Sequence, residues 1–255
     1  MKLLMRCLFS SLLISGLVAG TSLVHAGPVL MINLDPNAEA TFLSQLSGTL
    51  ITENFDSLGG ASVNGGSQQN SWENKSPSFS TNVGTFTLTS AGQTADGNVF
   101  NNELMIESAA TGEHGREILS NYNGDLWLDS NDAKTVVWNI TSAALGGGFF
   151  NALGFYLADP ADVSAILTLA YDDGSSSTAI KITSKLPNAT LAYVSLISDR
   201  NIVGATFTFL NSTGNDGWGI DDVTLGKVPE PGTILLLALG LIGLGIARRR
   251  VINQH

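Results

Sequence analysis

Cysteine is almost missing. The single thiol, Cys7, falls inside the first apolar run, so the rest of the chain can form neither a disulfide nor a thiolate metal site or nucleophile. That is compatible with an oxidising compartment. Charge is scarce as well: 13% of the 255 residues are charged, about half of the roughly 25% usual for soluble globular domains. Such a composition speaks against a helix-rich cytosolic enzyme. Basic residues are scarcest in the middle, because five of the 12 (Lys2, Arg6, Arg248, Arg249 and Arg250) sit at the ends, whereas all 22 acids lie between Asp35 and Glu230. The stretch Gly27 to Pro231 therefore carries −15, a surface that repels nucleic-acid phosphates and favours cations. Aromatics make up only 7% and histidine is limited to three residues. The sequence contains no phosphate-cradling glycine loop, Cys/His cluster, dinucleotide fingerprint or internal repeat.

What is present begins at the two ends. Met1 to Ala26 has a basic start, an apolar core from Leu8 to Val18 and a small residue, Ala26, where a signal peptidase would cut before Gly27; it predicts a secretory signal. Near the other end, Ile234 to Ala247 is an apolar run of 14 residues followed at once by Arg248-Arg249-Arg250. The run is short against the usual span of about 20 residues, but counted from Gly232 through the snorkelling arginines it approaches a short span with its basic end in the cytoplasm. A transmembrane segment is expected at 233–247. With an N-terminal signal the middle lies outside and the arginines inside, a consistent topology.

Val228-Pro229-Glu230-Pro231-Gly232-Thr233, then the Leu/Gly-rich segment, then the arginine cluster, resembles the PEP-CTERM protein-sorting tail. The resemblance implies that Pro229, Glu230 and Pro231 form the sorting motif, that Arg248, Arg249 and Arg250 stop transfer, and that an integral-membrane exosortase is a partner that cuts near the motif. It also implies a bacterium with an outer membrane and an exopolysaccharide or biofilm programme. It bears on destination, not on activity.

Between these ends, short β-prone runs alternate with Gly, Asn, Asp and Ser turns, which predicts an all-β, jelly-roll-like sandwich over 49–226 after a leader at 27–48. Strands are expected at Thr49 to Phe55, Thr85 to Thr89, Leu104 to Glu107, Thr135 to Thr141, Ala152 to Leu157, Ala165 to Tyr171, Thr178 to Thr183, Ala192 to Ile197, Ile202 to Leu210 and Ile220 to Leu225. In two of them the apolar set Phe86, Leu88 and Val203, Ala205, Phe207, Phe209 alternates with Thr87, Thr89, Thr206 and Thr208, the period of a strand with one face in a core and one in water. Tyr171-Asp172-Asp173-Gly174-Ser175 supplies an Asp-Gly turn between alternating runs and predicts a hairpin over Leu167 to Ile182; turn chemistry accounts for Asp172 and Asp173 better than cation binding does. Ala38 to Leu46 is a short amphipathic stretch, read as a helix or a mobile leader.

The candidate metal site joins the two ends of the domain: Glu53 and Asp56 at the opening strand, Asp221 and Asp222 at the closing one. Alternation sends adjacent carboxylates to opposite faces, so one of Asp221 and Asp222 must point inward or be turned aside by a bulge. An inward carboxylate needs a partner, either a hydrogen-bonded capping role near Gly217 and Gly219 or Ca²⁺, which takes hard oxygen ligands without His or Cys. The two strands resemble the first and last strands of carbohydrate-binding and MAM-type jelly-roll modules, a resemblance that implies a structural Ca²⁺. His114 is the one interior histidine, and no nucleophile elbow accompanies it. Glu103, Glu107, Glu113, Glu117, Asp125 and Asp129 could supply paired acids for glycoside hydrolysis, a chemistry defined by through-space distance rather than spacing. Trp72 and Trp218, with Tyr122 and Trp127 beside them, are candidates for stacking on sugar rings; burial in the core is the competing reading for Trp127, Trp138 and Trp218.

The expected function is an exported matrix protein that binds polysaccharide or protein, with an extracellular polysaccharide hydrolase as the alternative enzyme reading and a coat or adhesion protein as a third.

Overall fold

The computed structural model describes residues 27–59, 72–91, 103–108, 126–130, 133–141, 148–161, 163–183, 190–211 and 217–229. The expected signal and transmembrane segments, His114, Glu113, Glu117, Tyr122, Asp125, Glu230, Pro231 and Arg248 to Arg250 lie outside them. Among the described residues no helix is long and apolar enough to cross a membrane.

The chain is nearly all β. In order it forms β1 (Val29–Asn33), α1 (Ala38–Leu43), β2 (Ser47–Glu53), β3 (Trp72–Ser76), β4 (Ser78–Thr81), β5 (Gly84–Ser90), β6 (Leu104–Ser108), β7 (Leu126–Asp129), β8 (Thr135–Thr141), β9 (Phe150–Ala158), β10 (Val163–Tyr171), β11 (Ile180–Thr183), β12 (Leu191–Asn211) and β13 (Gly219–Lys227). A single 3-10 turn follows β2 at Asp56–Leu58.

Two layers make a jelly-roll-like sandwich, joined through the long strand β12. Its first part lies between β1 and β9, and its second between β10 and β8. The first layer runs β1, β12, β9, β13, with β13 pairing β2 over one half and β7 over the other, and continues through β6 to β3. The second runs β11, β10, β12, β8, β5, β4. Between Ser198 and Ile202 the chain turns back, for Ile197 pairs with Ala152 near the start of β9 while Phe209 stacks on Trp218, just before the start of β13 opposite the end of β9.

The sequence alternation is what separates the layers from water. Phe86, Trp138, Phe207 and Phe209 of the second layer meet Phe155 and Trp218 from the first, with Trp138 and Phe155 in edge contact at 5.6 Å and Phe209 and Trp218 stacked at 4.4 Å. These rings are fully buried. At roughly 25 cal/mol per Å² of apolar surface, such an interlayer core is enough to fold a domain of this size without disulfides.

Most expected strands are present, and the differences are local. The two runs at Ala192 to Ile197 and Ile202 to Leu210 are the two arms of β12, which folds over between Ser198 and Ile202. The sequence reading did not place β1, β3, β4 and β7, because each is four or five residues long and polar or flanked by polar turns. β1, expected in a leader, pairs Val29–Asn33 with Tyr193–Ile197. Ala38 to Leu46 carries the helix α1, whose Phe42 is 2% exposed. It packs on the outer face of the first layer, above Tyr193, Tyr156 and Ala152. Gly154 makes that approach possible: a Cβ there would lie 2.6 Å from the Phe42 ring and also against the Tyr193 hydroxyl.

Candidate functional site

The closing strand contains a bulge, one of the two outcomes that adjacent carboxylates allowed. Asp221 pairs with Tyr156 and Thr224 with Gly154, so three steps along β13 oppose two along β9. Asp222 is the residue turned aside, at a left-handed φ of +46°. An Asp adopts that conformation more readily than most residues do. Its N–H donates to Oδ1 of Asp221 at 2.7 Å. Asp221 is fully buried and lies on the outer face of the first layer, in register with Tyr156.

Glu53 faces the other way. It sits opposite the core residue Val223, and its carboxylate accepts from the backbone N–H of Phe55 and of Asn82, each at 2.9 Å. Asn82 belongs to the turn between β4 and β5, so this buried side chain ties the two layers together. It also holds Phe55, fully buried at φ +59°, in a conformation that bulky residues rarely adopt. Asp56 is exposed and engaged with its neighbours: Oδ2 accepts from Asn54 Nδ2 at 2.6 Å, Oδ1 from the Leu126 N–H at 3.0 Å.

Glu53 and Asp221 thus lie on opposite faces of one sheet, and the four carboxylates do not converge as a single ligand set. Among the described residues no group of three or more His, Cys, Asp or Glu is arranged to hold a metal. Of the other three, Asp56 is the one whose charge acts on Asp222. Burial first, then the charges of Glu39 and Asp56, push the Asp222 carboxyl up to about 6. Glu39 reaches the same region from α1 and accepts from the Tyr156 hydroxyl at 3.1 Å. Burial, followed by Glu39, raises both Tyr156 and Tyr193, whose rings meet edge to face at 5.0 Å.

Trp218 does not offer a sugar-stacking face. It is 1% exposed, stacked on Phe209, and its backbone is locked to the β7–β8 connection by Trp218 N–H to Ser130 Oγ at 2.8 Å. Trp127 and Trp138 are core residues too, as the competing reading held. Of Trp72 the structure describes the backbone in β3, opposite Glu107. Among the paired-acid candidates, Glu107 and Asp129 come to one face on neighbouring strands, both buried, at 2% and 0% exposure. Glu103 instead pairs with Lys75 at 3.2 Å.

The predicted hairpin forms between β10 and β11, with Gly174 at φ +82° in its turn. Asp173 and Asp172 are absorbed by that turn. Asp173 accepts from the Ser175 N–H at 2.9 Å and from Arg200 at 2.6 Å, while Asp172 accepts from Asn201 Nδ2 at 2.7 Å. The Arg200 guanidinium also covers the Tyr171 ring at 3.6 Å, a cation–π contact.

One surface was not foreseen as a site. On the outer face of the second layer, register lines up Ser80, Thr85, Asn139, Thr206 and Thr168 across five strands. A parallel row holds Ser78, Thr87, Val137, Thr208 and Ile166. All ten side chains are exposed or half-buried. No carboxylate stands in either row, although the chain as a whole carries −10. Four strand spacings of about 4.8 Å give the platform a width of roughly 19 Å. The alternating threonines were legible, but which strands would lie side by side was not.

The family model of the PEP-CTERM protein-sorting motif matches residues 227–250. No curated protein matches the chain. Among solved structures, the enzymatically active domain of bacteriophage CBA120 tailspike protein 4 is similar at 17% identity over 65% of this chain and 21% of that one, with a TM-score of 0.28. The present chain thus spans about a fifth of the tailspike's length. CBM27-1 of Caldicellulosiruptor saccharolyticus, solved with mannohexaose, is similar at 12% identity over 72% and 100% of the two chains, TM-score 0.27. The C-terminal family 22 carbohydrate-binding module of Clostridium thermocellum Xyn10B is similar at 9% over 51% and 83%, TM-score 0.27. The matched motif begins at Lys227, the last residue of β13. This jelly-roll-like protein carries a PEP-CTERM sorting motif, which implies an exported chain sorted by an exosortase.

Proposed function

We propose that the protein is an exported binding component of the extracellular matrix, delivered by an exosortase that reads Pro229-Glu230-Pro231, and that it holds a neutral polysaccharide of the exopolysaccharide or biofilm layer on the outer face of its second layer. The observation that carries the binding half is the carboxylate-free double row from Ser80 to Thr168, eight hydroxyl or amide side chains together with Val137 and Ile166. Hydroxyls and amides both donate and accept, as sugar hydroxyls do, and a flat sheet face fits an extended chain without a pocket. A neutral platform on an acidic protein discriminates against polyanionic polymers, which the remaining surface repels. The role is binding rather than catalysis. A structural Ca²⁺ enters this reading only at Asp222, on which the charges of Glu39 and Asp56 act.

The test uses the full chain against a panel of neutral and acidic polysaccharides. The double variant Thr85→Glu, Thr206→Glu should lose retention on the neutral members at a melting temperature within a few degrees of the parent, since both side chains are partly solvent-facing. Unchanged retention would remove the platform, and self-association without retention on any polysaccharide would favour a coat or adhesion role. Separately, replacing Pro229-Glu230-Pro231 by alanines should leave export intact and hold the protein at the inner membrane; normal release would remove the sorting half.

A further inference from the structure

Register fixes where the two ends of the folded part emerge. Val29 pairs with Ile197, Ile197 with Ala152 and Ala152 with Gly226. Gly27 and Val228 each stand two residues beyond that transverse row, at the same end of the first layer. Three strand spacings separate them, roughly 14 Å. Ser47, opposite Lys227, opens β2 at this end, and β12 turns back there between Ser198 and Ile202. The other end holds Ala158, Leu191, Gly219 and the β7–β8 connection through Lys134. The eight residue steps of β13 put the two ends about 27 Å apart.

Val228 is clamped rather than slack. Its N–H donates to Asn151 Oδ1 at 2.7 Å, and Asn151 Nδ2 donates to its carbonyl at 3.0 Å, so a side-chain amide takes the place of a neighbouring strand. Lys227 Nζ lies 3.8 Å over the Phe149 ring. Pro229 follows directly, and the apolar run begins at Ile234. Five residues at no more than about 3.5 Å each give a reach of at most ~18 Å. Of the six exposed large hydrophobic side chains among the described residues, Val29, Leu50 and Val203 lie within three residues of this end, at 56%, 40% and 39% exposure, while Leu34 and Leu210 lie toward the other.

We propose that this end, bearing Gly27, Ser47, Val29, Leu50 and Val228, is the membrane-facing end of the tethered protein, and that its partner before processing is the headgroup layer of the bilayer. The inference rests on the reading of the sorting tail as a membrane tether. The Asn151 clamp and the short connector hold the end against the surface, where exposed apolar side chains lie among mixed charges, Asp172, Asp173 and Asp199 against Arg200 and Lys227. The β7–β8 connection then faces away from the membrane.

The experiment uses the full chain carrying Cys7→Ser, reconstituted in phosphatidylcholine/phosphatidylglycerol vesicles, with one cysteine introduced at a time and labelled with a fluorophore. Ser47→Cys and Gly27→Cys report on the near end; at Gly27 a side chain meets nothing within 4 Å. Lys134→Cys reports on the far end. A spin label on the lipid headgroup should quench both near-end labels several-fold more than the Lys134 label. A twenty-residue Gly/Ser insertion between Val228 and Pro229 should bring the near-end quenching down toward the Lys134 level. Equal quenching at all three positions, or stronger quenching at Lys134, would overturn the orientation. A chain that does not co-float with the vesicles would instead overturn the tether reading on which it rests.

Discussion

Asp222→Asn should make the protein more stable, by an amount that grows as pH rises from about 4 to 6. The Asp222 carboxyl is raised from 3.8 to about 6 in the fold, by burial first and then by Glu39 and Asp56. The folded state therefore holds a proton that the unfolded chain has released between about pH 4 and 6. Folding stability falls as pH rises through that window, and the full penalty is present above it. At about 1.4 kcal/mol per pKa unit the ceiling is near 3 kcal/mol, and solvent screening of a half-buried side chain reduces it to ~1–2 kcal/mol. Asparagine keeps the shape, tolerates the left-handed backbone at φ +46°, and removes the charge. For a domain of this size ~1–2 kcal/mol corresponds to a rise of about 2–8 °C in Tm. Melting curves of parent and variant at pH 4.0, 5.0, 6.0 and 7.5 measure it: the two should nearly coincide at pH 4.0 and separate progressively to pH 7.5, with the variant higher. A variant that melts lower at pH 7.5, or by the same offset at every pH, would refute the charge argument and leave Asp222 as a backbone-shape residue.

Calcium provides a second test at the same place: if Asp56 and Asp222 hold it, calcium raises the parent's Tm at pH 7.5 over chelator and leaves Asp222→Asn unmoved, whereas superimposable parent curves exclude that pair. Glu53→Ala should cost about 2–4 kcal/mol in chemical denaturation, because it strands the buried N–H of Phe55 and the part-buried N–H of Asn82. Glu53→Gln, with one acceptor oxygen left, should fall between the two; a Glu53→Ala loss below 1 kcal/mol would show that the tie between the layers is not needed.

The sequence alone determined the ordered arrangement of a basic start, Pro229-Glu230-Pro231, an apolar run and three arginines, because sorting signals are linear and read without a fold. It also determined the β class, since a period of two needs only neighbours along the chain. The hairpin at Asp172-Asp173-Gly174 was legible for the same reason: its turn chemistry is contained in five residues. A bulge was one of two outcomes that the adjacent carboxylates Asp221 and Asp222 allowed, and the structure decided for it, at Asp222. What tertiary structure decided was pairing between distant strands. Glu53 and Asp221 look equivalent along the chain, yet their strands present them to opposite faces, and Trp218 is taken into the core by Phe209 on another strand. The row from Ser80 to Thr168 and the shared end of Gly27 and Val228 exist only through register, which long-range packing sets and no local window contains.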